Sequence, residues 1–265
     1  MDKMITFNEF AFSVQKSEIM IFLLIILGVF VGFASGFFGI GGGTVLVPIL
    51  LLIGVDIKTA IGASVVQMVF SSIFGSFVNY KNSSLKINDG IFVGLGGAFG
   101  ALFSGKIVAL FPDIILLYIF LIALILSIYK FFNSPIQTDK KSIESKTLLF
   151  IIGFFLGAIA ISVGVGGAVF LTPILVGFLH YDMKRAISMG LFFVVFSSIA
   201  GFVSLAIHGF INYKLGLILG VSSLLGVYFG AKSSFAISRK WQKRALLTLY
   251  ILMFLLTLYK IIGEI

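Results

Sequence analysis

The sequence predicts an all-α polytopic membrane protein: two inverted-topology repeats of five helical elements each, about eight full spans plus two short half-helices. Three observations carry this. Hydrophobic residues make up 60% and charged residues 11%, against about 45–50% and 25% in an ordinary globular chain, so a water-soluble domain could not cover its own apolar surface. Apolar runs near the roughly 20 residues that span a bilayer recur along the chain. The second half also repeats landmark residues of the first. With no Cys, only 4 Pro and a mean hydropathy of +1.19, the chain is no disulfide scaffold, collagen or disordered tail. The net charge of +9 fits basic residues gathered in cytoplasmic loops, and no basic stripe interleaved with exposed aromatics points to nucleic acid.

The elements follow in order. Residues 1–18 carry scattered charges of both signs, a poor start for a cleaved signal peptide, and are expected as an N-terminal extracytoplasmic segment. Repeat 1 is expected over 19–132, with runs at Ile19–Ser35, Thr59–Tyr80, Asp89–Leu110 and Ile114–Phe132. Residues 133–145 form a polar cytoplasmic linker. Repeat 2, 146–265, holds runs at Lys146–Val163, Arg185–Ile207, Lys214–Ala236 and Ala245–Ile262. Two shorter stretches, Thr44–Gly54 and Val169–Leu179, each follow a glycine cluster and reach about half a membrane thickness at roughly 1.5 Å per residue.

The repeats align from Gly39 to Leu50 against Gly164 to Leu175, matching Pro48 with Pro173. One inserted residue later, Asp56 and Lys58 meet Asp182 and Lys184, Phe70-Ser-Ser-Ile meets Phe196-Ser-Ser-Ile, and Lys106 meets Lys232. Unrelated apolar segments would not keep Gly, Pro, Asp and Lys in register, and duplicated membrane proteins are most often transporters. If each glycine cluster is the turn of a hairpin, thirteen basic residues, among them Lys81, Lys86, Lys130, Lys140, Lys141, Lys184 and Arg185, share one side. Six, Lys3, Lys16, Lys58, Lys106, Lys214 and Lys260, share the other. Continuous helices through the clusters would erase this bias. The positive-inside rule then makes the thirteen-residue side cytoplasmic, with both termini outside in the cell inner membrane.

Glycine permits sharp turns and close backbone approach, and irregular backbone inside a membrane is tolerated where protein buries it or a wet cavity adjoins it. Short helices starting after such turns aim free N–H groups and a positive dipole end inward. Gly39, Gly41, Gly42, Gly43 and Thr44, with Gly164, Gly166 and Gly167, are therefore expected to present amides to a small anion. Close helix packing is the competing role of these glycines, and the expected role of Gly94, Gly96, Gly97 and Gly100. Pro48 and Pro173 are expected near helix starts, where the missing N–H costs little. Gln67, Ser71 and Ser72, and Ser197 and Ser198, lie mid-span and are expected to complete a hydrogen-bond shell; a serine bonding back to its own helix is the alternative. Asp56 and Asp182 are expected as caps or loop salt bridges. No metal-ligand spacing, nucleophile elbow or intramembrane carboxylate pair argues for an enzyme, a metal or a cofactor.

The stretch Gly32-Phe-Ala-Ser-Gly-Phe-Phe-Gly-Ile-Gly-Gly-Gly-Thr-Val-Leu-Val-Pro-Ile-Leu50 resembles the opening motif of the TauE/SafE family of sulfite exporters and related anion transporters, with a looser second copy at Gly157–Leu175. The second cluster departs from the first at Ala168 and Val169, which stand where Gly43 and Thr44 do. The resemblance implies secondary transport of a small sulfur- or carbon-containing anion, such as sulfite, thiosulfate, a sulfonate or sulfoacetate, across the inner membrane with proton coupling. The expected partners are thus that anion and the lipid bilayer, with homo-oligomerisation left open. An anion channel and a non-transporting membrane scaffold are the alternatives.

Overall fold

The computed structural model describes residues 7–81, 87–133 and 142–264. Among them are eleven helices and no strand: α1 (Phe7–Phe38), α2 (Gly43–Leu52), α3 (Ile57–Lys81), α4 (Ile87–Ala101), α5 (Ser104–Leu110), α6 (Asp113–Asn133), α7 (Lys146–Ser162), α8 (Ala168–Gly177), α9 (Met183–Ile207), α10 (Tyr213–Ala236) and α11 (Arg239–Glu264). Among the described residues six segments are long and apolar enough to cross a membrane: Glu18–Phe38, Ile57–Lys81, Gly90–Leu110, Met183–Ile207, Tyr213–Ala236 and Lys240–Ile262. Their outer faces expose Phe22, Phe30, Phe77, Phe99, Leu225 and Ile262, a surface suited to hydrocarbon and too apolar for water.

Three elements differ in extent from the sequence reading. Helix α1 starts at Phe7, so residues 7–18 are helical and run continuously into the span that opens at Glu18; residues 1–6, including Lys3, lie outside the described part, as do Lys86, Lys140, Lys141 and most of the linker. Helix α7 has 17 residues, about 26 Å at roughly 1.5 Å per residue, short of the hydrocarbon core, and ends at the second glycine segment. The run Asp89–Leu110 is broken between α4 and α5. Ser204 of α9 stitches the break, its Oγ donating to Leu102 O at 2.7 Å and accepting from Gly105 N at 2.9 Å.

Small residues set the helix pairing. Along α1, Gly28, Gly32 and Gly36 rest in turn on Ser222, Ser223 and Val227 of α10, so the two helices run parallel. Along α7, Gly153 and Gly157 rest on Val93 and Gly97 of α4, again parallel. A side chain at Gly96 or Gly100 would strike the backbone of Phe150 or Phe154, and one at Gly94 or Gly97 the rings of Phe196 or Phe193; these four glycines do serve packing. Helices α3 and α9 cross in opposite senses: Gly62 near the start of α3 meets Phe210 just past the end of α9, while Gly75 meets Leu191 early in α9. Since α3 also parallels α10 (Gly216 on Val66, Gly220 on Phe70) and α9 parallels α4 (Gly90 on Phe192, Gly94 on Phe196), the helices fall into two opposed sets.

Polar contacts collect at the two ends of the bundle. At one end Lys58 pairs with Asp113 at 3.6 Å and lies over the Phe210 ring. At the other, Arg185 pairs with Glu144 at 2.9 Å, Ile143 N donates to Leu179 O, Lys184 Nζ to Phe235 O and Lys243 Nζ to Phe132 O.

Candidate functional site

Between α1 and α2, and again between α7 and α8, the backbone turns through glycines of positive φ: Gly39 (69°), Gly41 (82°) and Gly42 (86°), then Gly164 (72°), Gly166 (75°) and Gly167 (73°). The same three positions of each repeat are affected, and only glycine occupies that region without steric cost. The two turns lie side by side in the centre of the bundle, with Gly43 against the Gly164 carbonyl and Gly166 beside the Ile40 carbonyl. Both are fully buried.

Their amides are largely unspent. Gly39 N donates to Ser35 O, Gly164 N to Ile161 O and Val165 N to Ala160 O. Among the described residues, the N–H groups of Gly41, Gly42, Gly43 and Thr44, and those of Gly166, Gly167, Ala168 and Val169, reach no acceptor. Consecutive amides in such a turn, followed by a helix start, form a concavity suited to negative charge.

Helix α3 places its polar residues on both turns. Ser71 Oγ donates to Gly41 O at 3.2 Å, and Ser64 Oγ to Gly164 O at 3.0 Å. The Gln67 amide lies against Gly42, where an added methyl would fall 2.5 Å from Oε1. Gln67 is 0% exposed, and neither Oε1 nor Nε2 has a partner among the described residues. The hydroxyls of Ser35, Thr44 and Ser72 are likewise buried and unpaired there. Groups of this kind cost free energy unless water or a ligand meets them.

The second half contributes differently. Phe193, one helix-repeat equivalent of Gln67, lays its ring on Gly167, and Val194 of α9 reaches Gly41. Ser197 and Ser198 spend their hydroxyls within α9, on Phe193 O at 3.1 Å and Val195 O at 3.4 Å; the structure brings the first turn against the second and sets Gln67 and Ser71 on the first turn, while these two serines bond back to their own helix. Ser64, Met68 and Phe193 were missed by sequence reasoning. Ser64 stands three residues before Gln67 on the same helical face, and the repeat alignment alone pairs Gln67 with Phe193.

Pro48 and Pro173 are the sixth residues of α2 and α8, deeper than expected, so each removes a hydrogen bond to the carbonyl four residues back. At Pro173 the freed Val169 O is taken by the Tyr250 hydroxyl of α11 at 3.3 Å. Asp56 and Asp182 cap α3 and α9, accepting from Thr59 N and Lys184 N at 2.9 Å each. Asp56, Lys58 and Thr59, with Gly209 to Tyr213, line an open cleft of about 580 Å³. Lys106 and Lys232 are exposed, and His208 is exposed with Nδ1 2.8 Å from Ser204 O. The buried polar side chains among the described residues are Ser, Thr, Gln and Asn, with the Tyr181 and Tyr250 hydroxyls, and no group of three or more His, Cys, Asp or Glu there could hold a metal.

Comparison with known proteins agrees with this architecture. The family model described as sulfite exporter TauE/SafE matches residues 24–257. The probable membrane transporter protein YdhB of Bacillus subtilis is 28% identical over 79% of this chain and 89% of its own length. YunE of the same organism, also a probable membrane transporter protein, is 25% identical over 91% and 97%. A probable membrane transporter protein of Methanocaldococcus jannaschii is 30% identical over 80% and 87%. No solved structure matches the chain. A bundle with this many apolar spans, paired glycine turns at its centre and transporter relatives across nearly its whole length is a multi-pass membrane transporter, and the chain belongs to the sulfite exporter TauE/SafE family.

Proposed function

We propose that the protein is a secondary transporter that moves a small anion, a sulfur oxyanion or organosulfonate of the sulfite, thiosulfate or sulfoacetate type, across the cell inner membrane by alternating access with proton coupling. The observation that carries this reading is the pair of buried turns whose free amides stand beside the unpaired Gln67 amide. Gly41–Thr44, Gln67 and Ser71 form the main half-site, and Gly164, Gly166 and Gly167 the second. Binding by backbone dipoles without a buried Lys or Arg suits a carrier, which must release its substrate as well as bind it. Rotation of the flexible Gln67 and Met68 side chains, which press on Gly42 and Gly166, makes room for the anion.

The opposed directions of α3 and α9, themselves repeat equivalents, support two repeats inverted about the membrane plane, the arrangement in which alternating access is a rocking of one half against the other. The end holding Lys184, Arg185 and Lys243 is the cytoplasmic one by the positive-inside rule, leaving both termini outside. A thermal-shift screen of the purified protein against sulfite, thiosulfate, sulfoacetate, taurine and simple carboxylates tests the substrate class. A bound ligand raises the melting temperature with concentration; no rise with any sulfur anion rejects the assignment.

A further inference from the structure

The two half-sites are unequal in a way that bears on which ionic form of the substrate fits. This inference rests on the anion-site reading above and narrows it. Ser35, Thr44, Ser64 and Gln67 of the first half are matched in the second by Ala160, Val169, Gly190 and Phe193. The polar side chains of the wall around Gln67 therefore come from the first repeat, while the second supplies the free amides of Gly166–Val169, the Thr172 hydroxyl and the apolar Val169 and Phe193.

That wall offers two kinds of unmet group. The N–H groups of Gly41–Thr44 and the Nε2 of Gln67 need an acceptor, as an anion's oxygens supply. Gln67 Oε1 is an acceptor without a hydrogen, 0% exposed and unpartnered among the described residues, and it needs a donor. A fully ionised oxyanion carries no donor and leaves Oε1 unpaired, at the cost of a buried polar group. The wall is also uncharged: the buried polar side chains of the described residues are all neutral, and the desolvation cost of an ion grows with the square of its charge. Both arguments disfavour a dianion.

We propose that Gln67 selects a singly charged anion bearing its own hydrogen-bond donor, so that an oxyanion able to exist as a dianion is bound and carried in its monoprotonated form. The dianion takes a proton from water on the loading side, the monoanion crosses, and the proton is released with it on the far side. One proton and one dianion move, with one negative charge, and no intramembrane carboxylate is needed. Such carriage couples flux to protons through the substrate itself.

The test is binding to the purified, detergent-solubilised protein, read by calorimetry across the second ionisation of sulfite, with methanesulfonate and sulfate as companions. Methanesulfonate is a monoanion without a donor and stays ionised throughout; sulfate is a dianion without one. The elements around Gln67 place their titratable side chains at helix ends or on exposed outer faces: Lys58, Tyr80 and Lys81 on α3, Lys184 and Arg185 on α9, Tyr213 and Lys214 at the start of α10, and the exposed Tyr228 and Lys232 further along it. Helix α2, α8 and the stretch 19–38 of α1 carry none, and Tyr250 of α11 is bound to Val169 O. Methanesulfonate thus reports any pH effect that these groups exert. Sulfite affinity, expressed per total sulfite, should fall by about tenfold per pH unit above the ionisation, as uptake of one proton requires, with methanesulfonate weaker and pH-independent and sulfate unbound. Gln67→Leu should erase the preference for sulfite over methanesulfonate. Sulfite, methanesulfonate and sulfate binding alike at every pH would overturn the proposal and leave the anion site standing; binding of none of them would overturn both. The pH series on the unaltered protein decides the matter even where Gln67→Leu fails to fold.

Discussion

At Gly42 and Gly167 two constraints act at once. Each has a strongly positive φ, so any side chain there is strained by about 1–3 kcal/mol. What a new Cβ would meet differs: at Gly42 the end of the Gln67 amide, which can swing, and at Gly167 the ring of Phe193, which is fully buried and also fills the space beside Gly97. Gly167→Ala is therefore expected to lower the melting temperature more than Gly42→Ala, by several degrees, in a thermal melt of the two purified variants. The larger Gly42→Val and Gly167→Val are expected to abolish anion uptake into proteoliposomes while both variants still insert. Full flux from either would remove its turn from the transport path. The residue scale is also where the sequence was least informative. Gln67, Ser71 and the glycines could be picked out because polar or irregular groups are costly inside a membrane. Which face of α9 its serines occupy could not, because Ser197 and Ser198 look alike to Ser71 and Ser72 until the crossing of α3 and α9 fixes who reaches the turn.

Among the elements, the short helices show how a local defect is offset by a distant group. Proline at the sixth position of α8 frees the Val169 carbonyl, and Tyr250, from the far end of the chain, donates to it. Tyr250→Phe should destabilise the protein by about 1 kcal/mol, the usual net worth of a hydrogen bond. In a Pro173→Ala background, where the helix can supply its own N–H, the same change should cost markedly less. A double-mutant cycle on thermal unfolding measures the difference, and equal costs in both backgrounds would show that the hydroxyl serves something else. The α4–α5 break makes a similar case. Ser204→Ala removes a donor to Leu102 O and an acceptor for Gly105 N, so a loss of about 1–3 kcal/mol is expected for the groups left unpaired. Element positions were legible from apolar run length and from the repeat register, since a bilayer sets span length directly. Element ends were less so: nothing in the apolar run Asp89–Leu110 marks a break that a serine on another helix completes, and the extension of α1 back to Phe7 follows no apolar signal.

For the whole molecule, the proposed inverted arrangement turns on which end of the bundle faces the cytoplasm. The contacts already sort the chain: Lys58, Asp113 and Phe210 belong to one end, and Phe132, Glu144, Arg185, Phe235 and Lys243 to the other. In the topology we propose, the charge bias assigns the second group to the cytoplasm, and re-entrant α2 and α8 would permit both repeats to obey that bias while pointing in opposite directions. The chain has no cysteine, so single-cysteine variants report position without background. Glu144→Cys, exposed beside the start of α7, should react with a membrane-impermeant maleimide only after the inner face is opened. Asp113→Cys, exposed at the first residue of α6, should react from outside in intact cells. Reversed labelling would invert the molecule in the membrane. Labelling of both from the same side would break the hairpin topology itself, because α6 could no longer run from one face to the other, and with it the pairing of the two turns at mid-depth on which the anion site depends.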